Sequence, residues 1–134
     1  MKPNRILLLI ALVAATSAQA APADFLKDFE TQARAESAAF KGFSAERGGQ
    51  FYRSKHGAEW SCASCHTDNP AAPGKHAKTD KEIKPMAPAA NAERFADATK
   101  VDKWFKRNCG DVLNRACTAQ EKGDFLTFLM SVRK

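Results

Sequence analysis

The chain has 134 residues, room for one domain. Its 21 Lys and Arg against 15 Asp and Glu give a net charge of +6. That balance is mildly basic: it excludes a dedicated nucleic-acid binder and suits a cationic face that docks an acidic redox partner. Residues 1–20 read as a secretory signal, with Lys2 and Arg5 as the positive head, Ile6 to Ala15 as a short apolar run and Ala18-Gln19-Ala20 as the cleavage pattern. The apolar run is shorter than the ~20 residues of a spanning helix, and no later segment qualifies as one. Cleavage leaves residues 21–134 as one exported domain, and its expected location is a bacterial periplasm, where disulfides persist.

Residues 23–39 predict an amphipathic helix with Phe25, Leu26, Phe29 and Ala33 on one side, an accessory to the rest of the domain. A second helix is expected from Ser44 to about Ser54 and holds Gly48 and Gly49. Two glycines in a helix cost about 1 kcal/mol each relative to alanine, so another backbone should approach there.

Cys62-Ala63-Ser64-Cys65-His66 spells C-x-x-C-H, the attachment signature of a c-type haem. The thiols of Cys62 and Cys65 can add to the porphyrin vinyl groups, and His66 can coordinate iron from the proximal side. A redox dithiol, or half of a zinc site completed by His66 or His76, is the competing chemistry. The flanks Trp60-Ser61 and Thr67-Asp68-Asn69-Pro70 are turn-like and do not supply the strand that a thioredoxin-type motif follows.

From His66 to Asp97 the chain is rich in Pro, Ala and Lys and reads as a long loop without structure of its own, one that takes its order from a cofactor it wraps. Its Lys75, Lys78, Lys81 and Lys84 are candidates for docking an electron donor, or a plain solvated stretch. Asp97 then caps a helix in which Val101, Trp104, Phe105 and Asn108 follow at i, i+3, i+4 and i+7. That arc aims Asn108 at the interior between Trp104 and Phe105. Thr118 and Glu121 form a capping box for the last helix, which carries Phe125, Leu126, Phe128 and Leu129. Gly123 near its start is expected to meet Gly48 or Gly49 where the two helices cross. A crossing of this kind resembles the class I cytochromes c, an all-α fold around one covalently bound haem, here with an extra N-terminal helix.

The residue opposite His66 decides the function. A buried amide without a partner costs on the order of 1–3 kcal/mol, so Asn108 either caps local backbone or coordinates the iron through its side-chain oxygen. Met86, in Lys84-Pro85-Met86-Ala87-Pro88, has the setting of a methionine ligand. His56 and His76 are the remaining competitors and read as surface residues. With Cys62 and Cys65 taken by haem, Cys109 and Cys117 should pair in an oxidising compartment. The short loop so closed, just behind Asn108, contributes roughly 2–3 kcal/mol in the chain-entropy model.

The run from Lys81 to Leu129 resembles the Sphaeroides haem protein family of oxygen-binding class I cytochromes c. The matching pieces are Lys81-Glu82-Ile83, Ala87-Pro88, Arg94-Phe95, Val101, Lys103-Trp104, Arg107-Asn108-Cys109, Cys117-Thr118 and Glu121-Lys122, together with the C-x-x-C-H motif. The resemblance implies His66 as proximal ligand, Asn108 as distal ligand and the Cys109–Cys117 bridge beside it. Related cytochromes carry histidine at the Asn108 position, and their ligand detaches on reduction. A dihaem cytochrome c is implied as electron donor.

The leading expectation is thus a monomeric, periplasmic haem c protein that accepts electrons and binds O2, NO or CO when Asn108 lets go, with Trp104 and Phe105 keeping its pocket apolar. A low-spin electron-transfer cytochrome with His66 and Met86 ligation is the alternative. An oxygen- or NO-linked oxidoreductase is a third reading, for which the sequence names no acid–base residue beyond the unpersuasive His56 and His76.

Overall fold

The structure, a computed structural model, describes residues 20–57 and 59–133. The expected signal segment, Ala20 apart, lies outside the described residues. Among the described residues, five helices and one small ladder are formed: α1 (Pro22–Glu36), α2 (Ala45–Arg53), α3 (Cys62–His66), β1 (Gly74–Lys75), β2 (Glu82–Ile83), α4 (Ala98–Leu113) and α5 (Ala119–Ser131). Among the described residues no helix is long and apolar enough to cross a membrane.

α5 is the axis of the core. Thr118 and Glu121 cap it reciprocally: Glu121 N–H donates to Thr118 Oγ1 at 3.1 Å, and Thr118 N–H to Glu121 Oε2 at 2.8 Å. Leu126 and Leu129 are fully buried, with α2 packed on one side of the helix and α1 on another. Each of those helices is held at a defined place. Ser44 caps α2, its Oγ accepting from Arg47 N–H at 3.2 Å. The buried carboxylate of Asp124 in α5 then accepts from Ser44 N–H (2.6 Å), Arg47 Nε (2.8 Å) and Arg47 Nη2 (2.9 Å). Glu36 at the end of α1 accepts from Ala119 N–H at 2.9 Å, satisfying a first-turn donor of α5 that has no partner within the helix.

α2 and α5 cross as the glycines suggest, but with different partners. A Cβ on Gly48 would overlap the Asp124 carbonyl, so the close approach pairs Gly48 with backbone, not with Gly123. Gly123 instead makes room for the ring of Phe43, in the turn before α2. α1 ends at Glu36, three residues short of the expected 39, where the Ser37 N–H bonds back to Ala33 O at 3.0 Å. This helix is integral to the core: Phe25 and Phe29 cluster with Val101 of α4 and Leu126 of α5.

The stretch from His66 to Asp97 is more ordered than its composition predicts. β1 and β2 pair antiparallel, Gly74 opposite Ile83 and Lys75 opposite Glu82. Asp80, at φ +56°, turns the chain between them, with its N–H on His76 O at 2.9 Å. Strands of two residues have no alternation to read, so periodicity could not have marked them.

Candidate haem site

α3 is the motif itself. Ser61 and Ser64 open it with a reciprocal cap, Ser64 N–H donating to Ser61 Oγ at 3.2 Å and Ser61 N–H to Ser64 Oγ at 2.9 Å. On this single turn Cys62 and Cys65, three apart, share a side of the helix. Both are free thiols and partly buried. Burial, with Cys65 nearby, pushes the Cys62 thiol up to about 11 against the opposing pull of a backbone hydrogen bond. A redox dithiol needs the reverse, an electropositive setting that yields thiolate. Burial and then the charge of Arg94 push the His66 imidazole down to about 4. It is therefore neutral at neutral pH, the form in which histidine binds metal.

Three elements hold the motif. The hydroxyl of Tyr52, a fully buried α2 residue, donates to Thr67 O at 2.6 Å, fixing the chain as it leaves α3 with a positive φ (+62°). β1 lies directly on the motif backbone, since a Cβ on Gly74 would overlap Cys65 O and stand 2.9 Å from His66 Cα. Pro70 O accepts from Met86 N–H at 2.8 Å and Ala87 N–H at 2.9 Å, tying the far end of the long loop to the motif.

Met86 is buried, packed with Tyr52, Phe125, Phe128 and Leu129. Cys62 and Ala63 from the motif and Phe105 from α4 border the same cluster. Phe105 meets Phe29 and Phe125 edge-on at 5.6 and 5.7 Å between ring centres. The apolar wall beside the motif thus reaches α4 through Phe105.

The rest of α4 is turned from its expected orientation. Val101, Phe105 and Cys109, at i, i+4 and i+8, face the core, while Trp104 (43% exposed) and Asn108 lie on the flank of that stripe and are exposed. The bridge from Cys109 to Cys117, with sulfurs 2.00 Å and Cα atoms 5.6 Å apart, draws the Cys109 side toward the start of α5. Trp104 sits between two cations, Lys103 at 5.9 Å and Arg107 at 5.5 Å from its ring centre. Asn108 does not cap the helix: α4 continues to Leu113, and Asn114, at φ +56°, ends it. The Asn108 carboxamide has no protein hydrogen-bond partner among the described residues.

The other ligand candidates are engaged elsewhere. His56 Nε2 is 2.8 Å from Phe51 O, and His76 Nδ1 accepts from Lys78 N–H at 3.3 Å. Among the described residues no three of His, Cys, Asp and Glu are gathered as a metal site, which leaves the zinc reading without geometric support. A cleft of about 310 Å³ between α1 and α4, bordered by Phe25, Asp28, Phe29 and Asp102, holds none of the motif residues. Two free thiols and a neutral imidazole on one turn, against an apolar wall, are a donor set that fits haem c. Sequence reasoning missed the holding residues: Tyr52 was legible only as part of a helix, and nothing local marks the bond from Pro70 to Met86.

The family described as Domain of unknown function (DUF1924) matches residues 38–129. The cytochrome c-type protein SHP of Cereibacter sphaeroides is 36% identical over 132 residues, covering 94% of this chain and 97% of that protein. Cytochrome c'' of Methylophilus methylotrophus is 43% identical over 83 residues, which span 62% of this chain and 58% of the relative, under two thirds of its length. The solved structure of oxidised SHP, described as an oxygen-binding cytochrome c, superposes with a TM-score of 0.73 at 36% identity over 83% of this chain and 96% of that one.

Proposed function

This chain belongs to the DUF1924 family, with the all-α fold of the SHP and cytochrome c'' cytochromes, and on that premise we propose that it is an exported, monohaem, gas-binding c-type cytochrome whose distal iron ligand is Asn108. One haem c, joined to Cys62 and Cys65, would supply an iron that changes oxidation state and coordinates small diatomic molecules. His66, in its neutral form, would hold that iron.

The observation that carries the distal assignment is a contrast among four side chains. Met86 is built into the core and anchored through Pro70, and both histidines bond to nearby backbone. The Asn108 carboxamide alone among them is exposed and without a hydrogen-bond partner among the described residues. To serve as ligand, Met86 would have to leave the company of Tyr52, Phe125 and Leu129.

The amide oxygen of Asn108 is a neutral, hard, weak donor, matched to ferric better than to ferrous iron. Asn108 would therefore hold reduced iron less firmly, and its NH2 could then donate a hydrogen bond to O2 or NO. Phe105 keeps that side apolar, and Trp104, one turn before Asn108, borders it. That the relative SHP is described as an oxygen-binding cytochrome c supports this reading. A dihaem cytochrome c in the periplasm is the proposed donor, and the signal segment 1–20 and a monomeric state belong to the same proposal.

The test is an absorption spectrum of the purified protein with two variants. Asn108→Val should leave haem attached and change the ferric spectrum, and Met86→Leu should change it little. The reduced protein should be high-spin and bind CO promptly. A methionine–iron charge-transfer band that survives Asn108→Val and disappears in Met86→Leu would establish the closed electron-transfer alternative instead.

A further inference from the structure

We propose that Arg94 grips one haem propionate with the edge of its guanidinium that the protein leaves unused. This rests on the attachment of haem c at Cys62 and Cys65 and adds to it a residue that no pattern around the motif indicates. Arg94 lies in the loop before α4. Its Nε donates to Pro85 O at 3.0 Å and its Nη2 to Lys84 O at 2.9 Å. Guanidinium has five N–H groups, so three are without a protein acceptor among the described residues.

Arg94 is also half-buried and has no carboxylate partner among the described residues. The contrast with the other arginines is informative. Arg47 and Arg115 are each held by an acid, Asp124 and Glu121, and their pKa values are raised. That of Arg94 is lowered, with burial the sole cause. Partial desolvation of a cation without a counter-charge is unfavourable, and the fold retains one here.

The position points to the ligand. The segment that Arg94 holds, Lys84–Pro85, runs directly into Met86 and Ala87, whose N–H groups bond to Pro70 O, four residues beyond His66. Arg94 is therefore fastened to the sheath of the motif, where a cofactor bound through Cys62, Cys65 and His66 brings two carboxylates of its own. A planar carboxylate matches the open guanidinium edge in a two-bond fork. The other titratable groups nearby are the neutral His66 on α3 and, in the same loop, Lys84 and Glu93, which pair with each other in solvent at 3.2 Å.

The experiment uses haem-loaded protein grown with a carboxyl-13C precursor, so that infrared bands of the two propionates can be followed against pH in any spin state. In the unsubstituted protein one propionate should titrate about one to three pH units below the other. Arg94→Gln should bring the two together. Arg94→Lys, which keeps the charge but loses the fork to Lys84 and Pro85, should hold one low. Two alike propionates in the unsubstituted protein would overturn the proposal. So would equal effects of Gln and Lys, the signature of an arginine that only secures the loop, or a low titration that survives Arg94→Gln. If Arg94→Gln accumulates no holoprotein, the titration of the unsubstituted protein decides alone. Haem that leaves the denatured, unsubstituted chain would instead sink the attachment reading, so the two failures are distinguishable.

Discussion

Gly48→Ala is the sharpest probe of how the site is positioned, because α2 carries Tyr52 and Tyr52 fixes the exit of the motif. An added Cβ would overlap the Asp124 carbonyl and approach Phe128 Cβ to 2.9 Å. Both neighbours are backbone or rigidly attached to it, so no rotamer change relieves the clash and the two helices must part. Overpacking of this kind costs typically about 1–3 kcal/mol, occasionally more, and here it acts on a crossing that also holds the buried Asp124–Arg47 pair. Alanine recovers about 1 kcal/mol of helix propensity. Taking the upper end of the overpacking range, the net loss is about 2 kcal/mol, a fall in Tm of roughly 10 °C for a domain of this size. Gly110→Ala is the matched control: a Cβ there has nothing within 4 Å, on an exposed position of α4, so the same propensity gain should appear uncancelled. Thermal unfolding of the haem-loaded proteins followed by far-ultraviolet circular dichroism measures both. A Gly48→Ala protein as stable as its parent would refute the crossing geometry.

Two further outcomes follow from charge and covalent linkage. Replacing Cys109 and Cys117 together by serine should cost about 2.5 kcal/mol in urea unfolding, the chain-entropy value for a separation of 8; a loss under about 1 kcal/mol would show that packing of Phe105 and Val101 suffices to hold α4. Burial raises the Glu121 carboxyl, but the hydrogen bonds from Arg115 and Thr118 outweigh it and the net shift is downward. A depressed carboxylate stabilises above its unfolded pKa of about 4.3 and loses that contribution as pH falls through the folded value. Glu121→Gln should therefore be about 0.5–1 kcal/mol less stable at pH 7, since Arg115 is half exposed, and the gap should narrow as pH falls below the unfolded value and through the lowered folded one. A gap that does not narrow on acidification would mean that shape, not charge, makes the cap.

What the sequence makes legible is what is local. Ser44, Asp97 and Thr118 mark helix starts because a cap involves residues three apart, and each accepts from the N–H three positions on. The C-x-x-C-H motif is legible for the same reason: its two thiols and its imidazole come from one turn. Relations between distant segments are not written in that way. Gly48 does signal a close approach, yet nothing in the helix pattern reveals that its partner is the Asp124 carbonyl, or that Gly123 is reserved for Phe43. Arg94 stands in a loop without periodicity, and its partners are carbonyls nine and ten residues back.

α4 shows why a hydrophobic arc alone does not orient a helix. Val101, Trp104, Phe105 and Asn108 make an acceptable arc, and Val101, Phe105 and Cys109 make another, rotated toward the cysteine. Apolar area favours the first, since a buried indole outweighs a half-cystine. The structure takes the second, because Cys109 is bonded to Cys117 directly ahead of the Thr118 cap, and a covalent link over so short a span leaves the helix little choice of which side faces α5. The rotation leaves Trp104 and Asn108 at the edge of the apolar wall instead of inside it. That placement is what the proposed distal role would require: a side chain packed within the core, as Met86 is, cannot move out without opening a cavity, whereas an exposed Asn108 can move without disturbing Phe105, Phe29 or Phe125.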